Sequence, residues 1–196
     1  MRDSFLKVLP SASLCALLAA LTATAQAQSQ GSWTMKAPIP LARNEVALAA
    51  VGGKVHVIGG NLNNVAGTYH DEYDPATDRW HTRAPLPNAL DHIGAAVLNG
   101  KIYTIGGFIA SVHKDGQPHV FEYDPAGDTW RSLSPLKSGL GSVGVTVLDG
   151  KLHAIGGRNP AGQTVVTHQV YDPTTNSWSE RAPLPKARDH LAVVAA

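Results

Sequence analysis

Polar side chains that could bind a ligand recur at one position of the chain. They follow successive tryptophans by 10–12 residues, as Arg43-Asn44-Glu45, Asp91-His92 and Arg188-Asp189-His190. Such a set could bind a polyol, a sugar carboxylate or a peptide, or it could hydrogen-bond neighbouring loops and hold them in register. The corresponding segment Leu140-Gly141-Ser142 carries no charge. We therefore expect a one-sided arrangement rather than a symmetric ring.

Three further segments, 61–68, 108–119 and 158–167, contribute polar residues between predicted strands. These residues are Asn61, Asn63, Asn64, His113, Lys114, Asp115, His119 and Arg158. Binding residues concentrate on loops that a rigid scaffold positions. The predicted ligand contacts are therefore Arg43, Asn44, Asn61, Asn63, Asp91, His92, His113, His119, Arg158, Arg188, Asp189 and His190.

The nine histidines do not predict a metal site. His113, Asp115 and His119 share one loop and could close on an ion, but they lack a strong ligand spacing. His56 and His153 occupy equivalent strand positions, which suit any amphipathic ring. The sequence has no nucleophile elbow, phosphate loop or zinc-protease motif. We predict no metal and no cofactor.

Composition excludes several classes of protein. The chain has 196 residues, of which 43% are hydrophobic and 16% are charged, and its net charge is +1. This balance gives no basis for nucleic-acid binding. The 19 glycines and 13 prolines indicate many turns without the excess that is typical of disorder. These values favour a β-rich globular domain.

The N-terminal residues 1–27 have the pattern of a secretory signal peptide. A short basic start precedes an apolar run, and Ala25-Gln26-Ala27 supplies the small residues of a cleavage site. The alternative is an uncleaved anchor, but the dense apolar part is shorter than the roughly 20 residues of a membrane span. Cleavage would remove Cys15, the only cysteine, and with it any thiol chemistry. We predict a periplasmic or secreted protein with no membrane contact after cleavage.

A repeat of about 48 residues organises the rest of the chain. Its markers are four tryptophans spaced by 47, 50 and 48 residues, three Gly-Gly pairs and three Tyr-Asp-Pro triplets, whose tyrosines precede the next tryptophan by seven. The marker residues are Trp33, Trp80, Trp130, Trp178, Gly59, Gly60, Gly106, Gly107, Gly156, Gly157, Tyr73, Tyr123 and Tyr171. Features that keep register over three periods predict a repeat architecture.

Each period reads as four short antiparallel strands. Asn99-Gly100 and Asp149-Gly150 separate apolar runs and favour two-residue hairpin turns. A four-stranded sheet repeated at this period is typical of a β-propeller blade. The fold class is therefore all-β, with blades at approximately 43–84, 90–134 and 140–182 and single flanking strands at 32–37 and 190–196.

The signature resembles the Kelch repeat, and the resemblance covers residues 33–196. It implies that the Gly-Gly pairs end the second strand of each blade and that the repeated Tyr and Trp pack between blades. It also implies that the recurring polar segments lead into the innermost strands at the mouth of a central channel. Since closed propellers have typically 4–8 blades, we expect an open or partial propeller whose sheet edges could support a homo-oligomer.

The resemblance leaves the function open between two classes. In each blade, one face carries the turns between strands 1 and 2 and between strands 3 and 4. The other face carries the longer 2–3 loops and the inter-blade segments. Because binding residues concentrate on such loops, we predict a binding module for a protein or glycan. Exported Kelch propellers also include sialic-acid mutarotases, for which Asp91, His92, Arg188, Asp189 and His190 would be the catalytic candidates. Copper radical oxidases of this fold need a tyrosine–cysteine crosslink, which a chain without Cys15 cannot form. A partial gene product without an independent function is a third alternative.

Overall fold

Three four-stranded antiparallel sheets make up most of the structure. The computed structural model describes residues 31–109 and 113–195. Blade 1 contains β1 (Ala47–Val51), β2 (Lys54–Ile58), β5 (His70–Asp74) and β6 (Arg79–Thr82), with a small hairpin of β3 (Asn61–Leu62) and β4 (Val65–Ala66) inserted between β2 and β5. Blade 2 contains β7 (Gly94–Leu98), β8 (Lys101–Ile105), β9 (Val120–Asp124) and β10 (Thr129–Ser132). Blade 3 contains β11 (Gly144–Leu148), β12 (Lys151–Ile155), β13 (His168–Asp172) and β14 (Ser177–Glu180). This architecture confirms the predicted all-β, partial-propeller fold.

Two-residue turns fix the register of the first two strands of each blade. In blade 2, Leu98 pairs with Lys101 across Asn99-Gly100, and both turn residues have positive φ, 52° and 75°. This is the backbone that Asn-Gly hairpins adopt. The same register occurs at Val51–Lys54 and Leu148–Lys151. The predicted hairpin turns are therefore present.

The hydrophobic core lies between the blades. One cluster joins blades 1 and 2 through side chains such as Ile58, Ile102 and Tyr123, and a second joins blades 2 and 3 through Ile105 and Leu152. All five of these side chains are fully buried. Burying one large apolar side chain contributes about 1.5–3 kcal/mol. Each blade is therefore stabilised mainly by its neighbours.

The second strand of each blade ends where the next segment passes close by. Gly106 has φ of 70°, and a Cβ atom there would collide with the carbonyl oxygen of Leu140. Next to it, the Gly107 amide donates to that carbonyl at 2.8 Å. Glycine is needed here because both the backbone conformation and the close approach exclude a side chain.

A repeated contact, which we call the inter-blade clamp, fastens the outer part of each blade to the segment before it. It consists of a tyrosine, a tryptophan and an Asp or Asn: Tyr73, Trp80 and Asp78; Tyr123, Trp130 and Asp128; Tyr171, Trp178 and Asn176. In the middle clamp, Tyr123 Oη donates to Asp128 Oδ1 at 2.6 Å, the Ala84 amide donates to the same oxygen at 2.9 Å, and Trp130 Nε1 donates to the Ala84 carbonyl at 2.8 Å. The repeated aromatic residues thus carry hydrogen bonds between blades as well as packing.

The two predicted flanking strands are not observed. Residues 32–37 and 190–195 have no regular secondary structure, and neither segment has a partner strand among the described residues. A strand forms only with hydrogen-bonded neighbours, which explains this difference. The compact unit of blades begins at Lys36. The predicted signal peptide, residues 1–27, lies outside the described residues, as does Ala196.

Within residues 31–109 and 113–195, no helix has the length and hydropathy that a membrane crossing requires.

Candidate functional site

Four equivalent residues form an inner ring where the blades meet. They are Glu45, His92, Ser142 and His190, each shortly before the innermost strand position of its repeat. Their φ angles are 55°, 51°, 53° and 49°. The amide of each of the last three donates to the carbonyl of the preceding one, at 3.0, 2.9 and 3.1 Å. These backbone bonds hold the four side chains around one pocket of about 170 Å³.

Two histidines of the inner ring are each held by the aspartate that precedes them. Asp91 is fully buried, and its Oδ1 lies 2.8 Å from His92 Nδ1. Asp189 Oδ1 lies 2.7 Å from His190 Nδ1. Because a carboxylate accepts hydrogen bonds, we assign the proton of each neutral imidazole to Nδ1. Both rings therefore turn their Nε2 lone pairs away from the aspartates.

The aspartates are fixed in turn by polar neighbours. Asn61 Nδ2 donates to Asp91 Oδ2 at 3.2 Å. Arg158 Nε and Thr164 Oγ1 donate to Asp189 Oδ2 at 2.6 and 2.5 Å. Burial opposes ionisation of Asp189, yet the hydrogen bonds from His190, Thr164 and Arg158 hold the pKa of its carboxyl well below the usual range. Asp189 is therefore a fixed negative charge beside the ring.

His113 joins the inner ring from the long loop of blade 2. Its Nε2 lies 3.0 Å from His92 Nε2, and its ring makes edge contacts with both His92 and His190, with centroid distances of 4.7 and 5.1 Å. Burial, together with the neighbouring histidines and Arg158, lowers the pKa of His113 below its ordinary value. Nitrogen atoms of His92, His113 and His190 all lie within 4.8 Å of one another.

A second polar pocket lies beside the ring in blade 1. Its volume is about 320 Å³, and its lining includes Asn44, Asn61, Asn63 and Asn64. Asn44 and Asn63 are exposed, whereas Asn61 is buried. The predicted asparagine contacts are thus brought together in one pocket. Side-chain amides offer both donors and acceptors, so this pocket can bind a neutral ligand rich in hydroxyl groups.

Arg43, Arg158 and His119, which are also predicted ligand contacts, make contacts within the protein. The buried guanidinium of Arg43 donates to Asp71 Oδ2 at 2.8 Å and to the carbonyls of Val57 and Gly59 at 3.0 Å, so it fastens the inter-blade segment to blade 1. Arg158 is engaged by Asp189, as described above. The His119 ring stacks on Phe121, with centroids 5.7 Å apart. Arg188, Lys114 and Asp115 are exposed.

Sequence reasoning missed Ser142 as a ring member and Thr164 as a support for Asp189. The segment that contains Ser142 has no charge and so suggests no ligand contact, although the spacing of 50 residues from His92 and 48 from His190 gives Ser142 its place in the repeat. Ser142 Oγ lies 3.2 Å from His190 Nε2. No local signal identifies Thr164, because its contact with Asp189 depends on how two loops fold together.

Comparisons with known proteins agree with this architecture. Residues 91–137 and 140–185 each match the Kelch motif. No curated protein matches the chain. Among the 171 matching chains of known structure is one described as the structure of YjhT, with a TM-score of 0.69 and 20% sequence identity. The match covers 81% of this chain but only 57% of that one. These findings confirm the Kelch repeats and the propeller fold.

Proposed function

We propose that this chain, whose Kelch repeats build a partial β-propeller, is a binding module that recognises a glycan or protein ligand through its loop face. One observation carries the proposal: both polar pockets, at the inner ring and at Asn44–Asn64, lie on the face of the longer loops. The opposite face carries the tight two-residue turns. A rigid scaffold that gathers polar side chains from separate loops is typical of a binding surface.

The residues that line the blade 1 pocket favour a glycan ligand over a protein ligand. Specific protein interfaces are enriched in aromatic residues at their centre, whereas the blade 1 pocket is lined largely by asparagines and contains no aromatic residue. Asn44 and Asn63 are exposed and face the same cavity as the buried Asn61. Their side-chain amides can both donate to and accept from the hydroxyl groups of a glycan.

A matched pair of asparagines tests this proposal. Asn63 and Asn99 are both exposed turn residues with φ of 52°, but Asn63 lies on the loop face and Asn99 on the opposite face. We expect the full chain to bind a member of a glycan array, and Asn63→Ala to weaken that binding about tenfold or more. The expected loss corresponds to one or two hydrogen bonds to the ligand.

Asn99→Ala is the control, because it carries the same backbone strain without touching the pocket. It should leave binding unchanged. Equal loss in both variants would show that the effect is on folding. Two results together would overturn the loop-face proposal: the chain binds no glycan on the array, and it captures a protein whose binding is unchanged by Asn63→Ala.

A second candidate function is proton transfer on a sugar hemiacetal, as in a mutarotase. It is favoured by one specific observation, the two aspartate–histidine pairs that share the inner-ring pocket. One imidazole could accept the anomeric hydroxyl proton while the other, when protonated, donates to the ring oxygen, so that the bond between the anomeric carbon and the ring oxygen opens to the carbonyl form. Anomer exchange of sialic acid followed by NMR tests this candidate. An exchange rate no faster than in buffer excludes it.

We also propose that the protein is exported. The support is the signal-peptide pattern of residues 1–27. N-terminal sequencing of protein recovered from the periplasm or the medium should show a start at Gln28, and recovery of an uncleaved chain from the cytoplasm would contradict export.

A further inference from the structure

We propose that His92, His113 and His190 form a binding site for a divalent transition-metal ion of the zinc type. The three residues come from three separate segments: the link between blades 1 and 2, the long loop of blade 2, and the segment after blade 3. Their ligand nitrogens lie within 4.8 Å of one another. Imidazole nitrogens bind zinc at about 2.0–2.1 Å, which places two ligands of a tetrahedral site about 3.4 Å apart. The 3.0 Å between His92 Nε2 and His113 Nε2 is within a few tenths of this value.

The hydrogen-bond pattern around His92 is compatible with a bound cation. Its Nδ1 proton is directed to the buried Asp91, so Nε2 carries a lone pair in the neutral ring. That lone pair faces His113 Nε2 at 3.0 Å and Glu45 Oε2 at 3.1 Å. A carboxylate cannot donate a proton to it. A neutral His113 that carries its proton on Nε2 can donate to this lone pair. A bound metal ion would instead accept electron pairs from both nitrogens, and the Zn²⁺ titration distinguishes the two arrangements.

The hydrogen bonds from His92 and His190 to the neighbouring aspartates also match those of metal-binding histidines. A ligating histidine usually donates its second ring N–H to a carboxylate or carbonyl, which fixes the tautomer and increases the basicity of the ligand. Asp91 serves His92 in this way, and Asp189 serves His190. Both carboxylates have further hydrogen-bond donors of their own, Asn61 for Asp91 and Arg158 with Thr164 for Asp189. The site is therefore supported on two sides before any ion enters.

The donor set selects the class of metal. Imidazole suits zinc, copper and nickel, whereas magnesium and calcium require oxygen ligands. Two oxygen atoms also lie beside the histidines: Glu45 Oε2 is 3.1 Å from His92 Nε2, and Ser142 Oγ is 3.2 Å from His190 Nε2. A site with three histidines has a fourth coordination position for an oxygen ligand such as water.

Calorimetric titration of the purified, metal-free full chain with Zn²⁺ tests the proposal. We expect one tightly bound ion per chain. His113→Ala should weaken binding on the order of 100-fold, and Asp189→Asn, which weakens the support of His190, by about 10–100-fold. Co²⁺ in place of Zn²⁺ should give the visible absorption of a tetrahedral site.

His81→Ala is the matched control, since His81 is an exposed histidine on β6 and does not belong to the cluster. It should bind Zn²⁺ as tightly as the unaltered chain. Circular dichroism of each variant shows whether the blades remain folded, and His190→Asn replaces His113→Ala if the latter does not fold. Absence of tight Zn²⁺ binding to the unaltered chain, or equal binding by the His113→Ala and His81→Ala variants, would overturn the proposal and leave a proton-bridged histidine cluster.

Discussion

The inter-blade clamp and the inner ring solve the same problem, joining one blade to the next, in different ways. In the clamp, side chains make the join, and its chemistry is nearly identical in all three repeats: a tyrosine, a tryptophan and an Asp or Asn. In the inner ring, backbone groups make the join, and the four side chains are a glutamate, two histidines and a serine. The residue types of the repeats thus differ at the positions where backbone groups, and not side chains, join the blades.

The energetic consequence is a division of labour between the two regions. Tyr123 of the middle clamp is fully buried, whereas Glu45 and His190 of the inner ring are exposed. Large effects on folding should therefore follow from changes in the clamp, and effects on ligands from changes at these exposed ring positions. Four predictions test this division, beginning with the largest effect.

Tyr123→Ala should destabilise the protein by about 3–5 kcal/mol, as is usual when a buried aromatic side chain is removed from a core. Tyr123 contacts His70, Trp130 and Asp128 between blades 1 and 2. Urea unfolding measures the change. The corresponding change Tyr73→Ala, at a partly exposed clamp, should cost less. An equal cost at both positions would show that burial in the clamp does not set its importance.

Acid should weaken the join between blades 1 and 2. His70 packs against Tyr123 and Trp130, and burial, only partly offset by the Ala84 carbonyl, lowers the pKa of His70 to about 4. In the unfolded chain the histidine pKa is near 6.5. Between pH 6.5 and 4 the unfolded chain therefore binds more protons than the folded protein, and the free energy of unfolding falls as the pH falls through this range. The loss from this group is on the order of 3 kcal/mol. Unfolding measured across this pH range tests the prediction.

The chain itself offers the variants that isolate this effect. Blade 2 has Tyr103 and Val120 where blade 1 has His56 and His70. The double variant His56→Tyr with His70→Val should lose most of the pH dependence between pH 6.5 and 4. The same exchange at the less buried pair of blade 3, His153 and His168, should change the dependence less. An unchanged slope in the blade 1 variant would contradict the assignment to His70.

Asp128→Ala should destabilise the middle clamp by about 1–3 kcal/mol, because it leaves the Tyr123 hydroxyl and the Ala84 amide without their acceptor. Asp78→Ala removes the equivalent bonds of an exposed clamp and should cost less. Both positions have positive φ, so the backbone strain of alanine cancels in the comparison. Asp128→Asn should restore most of the stability, since Asn176 performs this role in blade 3. Thermal unfolding of the three variants provides the measurement.

His190→Asn should leave the free energy of unfolding within about 0.5 kcal/mol of the unaltered chain. His190 is exposed, its backbone amide makes the ring bond, and asparagine tolerates its φ of 49°. Urea unfolding, run beside the Zn²⁺ titration, should thus separate stability from metal binding. A loss of several kcal/mol would place the ring side chains in the scaffold and remove the distinction between the two regions.

The sequence predicts the scaffold better than the site because the two carry different kinds of signal. Repeated Trp, Tyr-Asp-Pro and Gly-Gly markers give the strand number and register directly. The role of Asp128 has no local sequence signal, since its partner Ala84 lies 44 positions away. His113 could not be placed near His92 and His190, because its loop differs in length from the equivalent loops and the repeat register does not extend into it. Arg43 was predicted to bind a ligand, but its long side chain reaches Asp71 instead.

The chain of amide-to-carbonyl bonds through Glu45, His92, Ser142 and His190 has a practical consequence for engineering. Because main-chain atoms hold these four positions in place, the protein can serve as a display scaffold at its pocket. A library that varies them among Asn, Asp, Ser, His and Gly, residues suited to a left-handed backbone, keeps the frame constant while changing the charge and shape of the cavity. Selection from such a library could produce receptors for new small molecules without redesign of the blades.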